Sequence, residues 1–186
     1  VSINQSGTYN IYNGLCAYSI AKELGIDDSV IKKSLENQSS SFGRQETINI
    51  EGKDVKIFLV KNPAGYNESL DTICLNKERF AAAFLLNDNY ADGQDVSWIW
   101  DINFSVFNNV DRVVTSGTRA YDIAIRIKCS GYDPDKIFVY PDLDEATASL
   151  FSTKGDKFAI ANYTAIQPTR AAIKKYKSLK ENGEEK

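Results

Sequence analysis

The chain contains no histidine and no methionine, and cysteine occurs only three times in 186 residues. Without histidine it cannot furnish a Ser-His or Cys-His pair from its own side chains, so a mechanism that needs an imidazole base must borrow one. Cys16, Cys74 and Cys129 stand far apart, with no Cys-x-x-Cys and no Cys/His spacing. An odd, scattered set of this kind suits reduced, buried thiols better than a disulfide framework or a zinc site, and no metal site is expected. Neither Gly-x-x-x-x-Gly-Lys-Ser/Thr nor Gly-x-Gly-x-x-Gly is present, so the chain carries no phosphate cradle of its own. No apolar run approaches the roughly 20 residues of a bilayer span, and no signal peptide is visible. A cytoplasmic protein is expected. The lack of methionine even at position 1 reads as a piece cut from a longer polypeptide.

A basic excess is missing too: the net charge is −3 and the isoelectric point about 5.1. That argues against a general nucleic-acid binder, whose surface needs a basic stripe to displace counterions from phosphates. What remains is ordinary globular material, 42% hydrophobic and 25% charged, long enough for one well-buried domain and an appendage.

The densest stretch is residues 86–101, LNDNYADGQDVSWIWD, with four acids (Asp88, Asp92, Asp95, Asp101), two asparagines, one glycine and both tryptophans. The run before it, RFAAAFLL, reads as a fully buried strand of a parallel sheet. The loop then leaves the carboxyl end of a central strand, where open α/β sheets place their ligands. Asp, Asn and Gly also form turns, and Trp98 and Trp100 can cap a core. A Trp-Ile-Trp string between carboxylates serves no turn, however, which favours a functional loop.

Helical spacing of Ile11, Leu15, Tyr18, Ala21 and Leu24 predicts a helix over 9–24, stopped by Gly25. Asp27 or Asp28 caps a second helix over 29–36, and the two need a larger body to pack on. NQSSS at 37–41 reads as a linker. A hairpin follows, with strands 45–50 and 55–61. Asn62-Pro63-Ala64-Gly65 breaks the chain, and Asn67 or Ser69 caps a helix ending near Leu75. Strands over 80–86, 112–115, 137–140 and 158–161 alternate with helices over 103–107, 119–128, 144–151 and 165–179. The charged tail, 180–186, is expected to fray. This order predicts an α/β fold: a mostly parallel open sheet flanked by helices, with an N-terminal β-hairpin and a short helical lead-in.

Four loops, 62–67, 87–101, 116–119 and 162–165, then fall on one edge of the sheet and can converge. Ser116-Gly117-Thr118 can offer amide groups to an anion, and Arg119 adds a bidentate donor, although the same string is a plain helix cap. Phe42-Gly43-Arg44 sits at the linker exit, where an arginine can reach a phosphate next door.

Taken together, Gly7-Thr8-Tyr9-Asn10-Ile11-Tyr12-Asn13, Phe42-Gly43-Arg44, Lys61-Asn62-Pro63-Ala64-Gly65-Tyr66-Asn67, Asp92-Gly93-Gln94-Asp95-Val96-Ser97-Trp98-Ile99-Trp100-Asp101, Ser116-Gly117-Thr118-Arg119-Ala120 and Asn162-Tyr163-Thr164 resemble the MurT proteins. The match is colinear over nearly the whole chain. These are Mur-ligase-like subunits of a lipid II isoglutaminyl synthase that works with a glutaminase subunit, GatD. The resemblance implies that residues 1–40 are the helical end of a central ATPase domain with its linker, and 41–186 a Rossmann-like Mur ligase C-terminal domain. It also implies ATP-dependent amidation of the D-glutamate α-carboxyl of the lipid II stem peptide, through an acyl phosphate attacked by ammonia. ATP with Mg2+ would be held mainly by the absent central domain, and contact with a membrane would come only through the lipid-linked muropeptide. The piece alone is expected to be inactive.

By the same resemblance, Asn10, Asn13, Arg44, Asn62 and Asn67 occupy positions near ATP. Thr118, Arg119, Asp88 and Asn89 would face the muropeptide, and Trp98, Trp100 and Asp101 the glutaminase. Asp95 is the catalytic candidate: it either orients a histidine of the glutaminase, completing a Cys-His-Asp set across the interface, or acts on ammonia or substrate on its own side. A docking module with little substrate contact is the alternative reading. A Mur-type ligase for another amino acid is a third, which the Trp-Ile-Trp string disfavours.

Overall fold

The protein is described from a computed structural model covering residues 2–3, 7–37, 44–50, 52–107 and 109–183, with the side chains of Arg44 and Gln45 left out. The linker expected at 37–41, the boundary at 40/41 and Phe42-Gly43 lie largely outside these residues. Six strands form one open sheet: β1 (Arg44–Ile50), β2 (Lys53–Leu59), β3 (Phe80–Leu85), β4 (Val110–Ser116), β5 (Ile137–Val139) and β6 (Asp156–Ala161). Their spatial order is β1-β2-β6-β3-β4-β5. Only β1 with β2 is antiparallel; every other pairing is parallel. The expected hairpin is therefore the edge of the main sheet, and the last strand inserts beside β3 at its centre.

β3 shows why the chain folds into layers. Its alternate residues Phe80, Ala82, Phe84 and Leu86 enter one core, while Ala81, Ala83 and Leu85 enter the other. Large rings fill the first face under α3 (Pro63–Cys74) and α4 (Ala120–Cys129), where Phe84 meets Phe104 and Phe107 at 5.5 Å between ring centres. Alanines on the second face let α5 (Leu143–Phe151) and α6 (Ile166–Glu181) approach closely through Leu150, Ile166 and Ile173. A strand covered on both sides needs no polar alternation, and β3 has none.

Several expectations change at this level. α3 begins at Pro63, not after Asn67 or Ser69: the Asn62 side chain accepts a 2.9 Å bond from the Gly65 amide, and Pro63 stands at the first turn, where its missing N–H costs nothing. The segment 62–67 is thus mostly a helix start rather than a loop. Over 103–107 there is a single 3-10 turn, Phe104–Val106. α6 runs on to Glu181, into the part expected to fray. Cys16 and Cys129 are exposed rather than buried, and only Cys74 is half-buried, its thiol pushed up to about 11 by burial.

The lead-in forms as expected, α1 (Thr8–Glu23) and α2 (Asp28–Glu36), the latter capped by Asp27 accepting from Ser29 at 2.8 Å. Its inner contacts are few: Asn10, Gly14, Ile31 and Leu35 are buried. The predicted apolar face of α1 is not, since Ile11, Leu15 and Leu24 remain 61%, 59% and 74% exposed. Helical spacing alone does not supply a surface to pack on.

Lys157, at the start of β6, is fully buried and donates to the carbonyls of Gly155 at 2.6 Å and Lys154 at 3.3 Å. Burial, with Lys53 adding to it, lowers its pKa from 10.5 to about 8. Between those values the unfolded chain holds a proton that the folded one lacks, so this group makes stability rise with pH across that window. Urea titrations of wild type and Lys157→Met at pH 7.5 and 10 should differ in that rise by on the order of 2 kcal/mol; parallel curves would remove Lys157 as its source.

Candidate functional site

β3, β4 and β6 end on the same edge, and a polar network joins the segments that leave them. Asn87 and Asn162 exchange two bonds: the Asn87 amide donates to Asn162 Oδ1 at 3.0 Å, and Asn162 Nδ2 donates to the Asn87 carbonyl at 2.7 Å. Asn87 Oδ1 accepts from the Thr118 amide at 3.0 Å, and its Nδ2 donates to Thr164 Oγ1 at 3.1 Å. One side chain therefore ties together the segments after all three strands. Gly117 makes the close approach possible: it has φ +95°, and a Cβ there would sit 2.5 Å from the Leu86 carbonyl.

The carboxylates are shared out around this frame. Asp88 accepts from Thr118 Oγ1 at 2.7 Å and from Arg119 Nε at 2.8 Å. The Thr118 bond, and Arg119 after it, hold the Asp88 carboxyl below its usual range. Asp92 accepts from the Thr164 amide at 2.8 Å and from the Thr164 hydroxyl, while Asn89 Nδ2 donates to that hydroxyl at 2.8 Å. Asp95 is exposed, and its Oδ1 accepts from the Ser97 amide at 2.8 Å. That bond, with the Ser97 hydroxyl second, lowers its pKa, so it is an anion at neutral pH.

Asp95 borders a cavity of about 400 Å³ whose walls include Ser97, Trp100, Arg119, Asp122 and Ile125. A second cavity, about 370 Å³, lies between the strand ends and the starts of α5 and α6, lined by Asn87, Gly117, Thr118, Pro141 and Pro168. The tryptophans divide their roles. Trp98 is half-buried against Tyr66, ring centres 6.0 Å apart, whereas Trp100 is 55% exposed. Exposed Tyr121 and Ile125 of α4 extend the apolar rim.

The MurT ligase C-terminal model matches residues 59–166. The chain belongs to the MurT ligase C-terminal family. The lipid II isoglutaminyl synthase (glutamine-hydrolyzing) subunit MurT of Streptococcus pneumoniae is 37% identical over 174 residues, covering 92% of this chain and 39% of that protein. The chain thus spans about two fifths of that relative. Among solved structures, MurF of Acinetobacter baumannii superposes with a TM-score of 0.72 at 18% identity, covering 94% of this chain and 40% of that one. Folylpolyglutamate synthase of Mycobacterium tuberculosis, complexed with ADP and AMPPCP, gives 0.66 at 17% identity, over 92% and 41%. These likenesses show the fold.

Within this MurT C-terminal domain the candidate residues fall into separate groups. Asp88, Asn89, Thr118 and Arg119 come together at the strand ends, and Asp95 and Trp100 share the neighbouring cavity with Arg119. Asn62 is occupied in capping α3. Asn67 reaches across to the 101–103 backbone, accepting from Asn103 N at 2.8 Å and donating to the Asp101 carbonyl at 3.3 Å. Asn10 is buried and Asn13 exposed on α1; the Arg44 side chain lies outside the described residues. Asn62 and Asn67 are both engaged in these internal bonds, and the sequence carries no glycine-rich phosphate cradle. Nor, among the described residues, do three His, Cys, Asp or Glu side chains gather as a metal would require.

Asn87, Asn162 and Arg126 were not singled out from the sequence for any role. An asparagine after a strand looks like turn chemistry, and only the inserted position of β6 brings Asn162 to Asn87. The pair is directly testable. Asn162→Ala removes both bonds and leaves the half-buried Asn87 amide and carbonyl without them, so the denaturation midpoint should fall by the equivalent of about 1–3 kcal/mol. A loss under about 0.5 kcal/mol would mean water replaces the pair without cost.

Proposed function

We propose that this domain serves ATP-dependent amidation of the D-glutamate α-carboxyl of the lipid II stem peptide, with ammonia from glutamine hydrolysed by a glutaminase of the GatD type. Membership of the MurT family supports the general role. The single observation that carries the local reading is the exposed, ionised Asp95 carboxylate at the rim of a cavity whose walls mix Trp100 and Ile125 with Arg119 and Asp122. A carboxylate held by its own backbone, with no cation on it among the described residues, is ready to orient a partner's imidazolium, which a chain without histidine cannot supply. Trp100, Tyr121 and Ile125 around it offer the aromatic and aliphatic anchors of a docking face.

ATP and Mg2+ are assigned to the rest of the protein, with residues 1–40 as the end of an ATPase domain and 41–186 as the domain that meets the muropeptide. Asn10, Asn13, Arg44, Asn62 and Asn67 then contribute at most edge contacts to the nucleotide. Such a protein works at the inner face of the membrane only through its lipid-linked substrate; no helix of the described residues is long and apolar enough to cross one.

A second reading, docking with little direct substrate contact, draws support from the engagement of Thr118 and Arg119 by Asp88. Substrate would have to displace an internal ion pair to use them.

Asp95→Asn in the complete two-subunit enzyme separates the roles. It should lower glutamine-dependent amidation by about 100-fold or more, a loss on the scale of removing a triad carboxylate. Restoration by ammonium salts would place Asp95 on the glutaminase reaction; failure to restore would place it on the ligase side. Unchanged glutamine-dependent turnover would remove it from catalysis.

A further inference from the structure

Arg126 lies on α4 beside the core residues Ile123 and Ile127, and its side chain reaches the segment that follows Asp95. Its Nε donates to the Ile99 carbonyl at 3.1 Å and its Nη2 to the Ile102 carbonyl. The guanidinium lies 5.5 Å from the ring centres of both Trp100 and Phe104. Both carbonyls belong to the short 3-10 helix Ser97–Asp101 and its end, where local bonds are few: the Ile99 carbonyl accepts from Ile102 N at 3.2 Å, and the Ile99 amide donates to the Val96 carbonyl at 3.1 Å. A five-residue 3-10 helix does not hold its shape on local bonds alone.

We propose that Arg126 is a positioning residue that fixes the Asp95 carboxylate and the Trp100 ring through this turn, an inference that rests on the reading of Asp95 given above. The connection is continuous. Arg126 holds the carbonyls of residues 99 and 102, the 3-10 helix so fixed sets the direction of the Ser97 amide, and that amide holds Asp95 Oδ1. Asn67 grips the same segment from α3 at residues 101 and 103, so the turn is clamped between two helices anchored in one core. The planar fork is required: two carbonyls three residues apart and two flanking rings fit a guanidinium, whereas an ammonium is a point donor that does not stack.

The test is a double-mutant cycle in the complete enzyme with its glutaminase subunit, following glutamine-dependent amidation. Arg126→Ala should lower kcat by about 10- to 100-fold, the scale of a misplaced catalytic group, with KM for glutamine unchanged. On an Asp95→Asn background it should cause no further loss, because both changes remove one function. Arg126→Lys, which preserves charge and volume should the alanine variant misfold, should show the same non-additive loss. Equal fold-losses on both backgrounds, or no loss on wild type, would overturn the inference. If Asp95→Asn alone turned over normally, the reading of Asp95 would fall and this inference with it; a defect in Asp95→Asn with none in either Arg126 variant would overturn only the positioning role.

Discussion

Asn87 and Asn162 trade two hydrogen bonds where β3 and β6 end, and the geometry of the whole carboxyl edge follows from that exchange. The bonds pair half-buried backbone groups of Asn87, and they do so with a side chain short enough to hold the strands' exits together. Asn87 then recruits Thr118 and Thr164 with its remaining polar atoms. A single side-chain amide, bonded through both its oxygen and its nitrogen, sets the spacing of three segments far apart in sequence.

That frame decides which charges are available. Asp88 is committed to Thr118 and Arg119, and Asp92 to Thr164. Asp95 has the Ser97 amide and faces outward. Four acids in sixteen residues look alike as letters; the fold commits Asp88 and Asp92 to the strand-end network and leaves Asp95 and Asp101 exposed, with Asp95 on the cavity. Arg119 shows the same logic with opposite sign. Its charge borders the cavity beside Asp95 but is already paired with Asp88 and, at 3.6 Å, approached by Asp122.

Much of this was legible beforehand because the signals were local. The unbroken apolar run at β3 and the alternation of strand and helix marked the layers and their parallel edge. The loop after β3 stood out by composition alone. What was not legible depended on contacts distant in sequence. The capping role of Asn62 was hidden because Asn-Pro is also a turn signal, and Arg126 was hidden because a charged residue in an amphipathic helix normally faces water. The two tryptophans could not be told apart until Tyr66 was seen beneath one of them. The apolar face of α1 fails for the opposite reason: its periodicity is real, but among the described residues Ile11, Leu15 and Leu24 stay exposed.

The central claim is that the Asp95 loop and the neighbouring face of α4 meet the glutaminase. Hydrogen–deuterium exchange of the complete MurT-type subunit, with and without its glutaminase, addresses this directly. Protection on complex formation is expected over residues 94–102 and 121–125, around Asp95, Trp100, Tyr121 and Ile125. Protection confined to other surfaces, with these two segments exchanging as in the free subunit, would contradict the account.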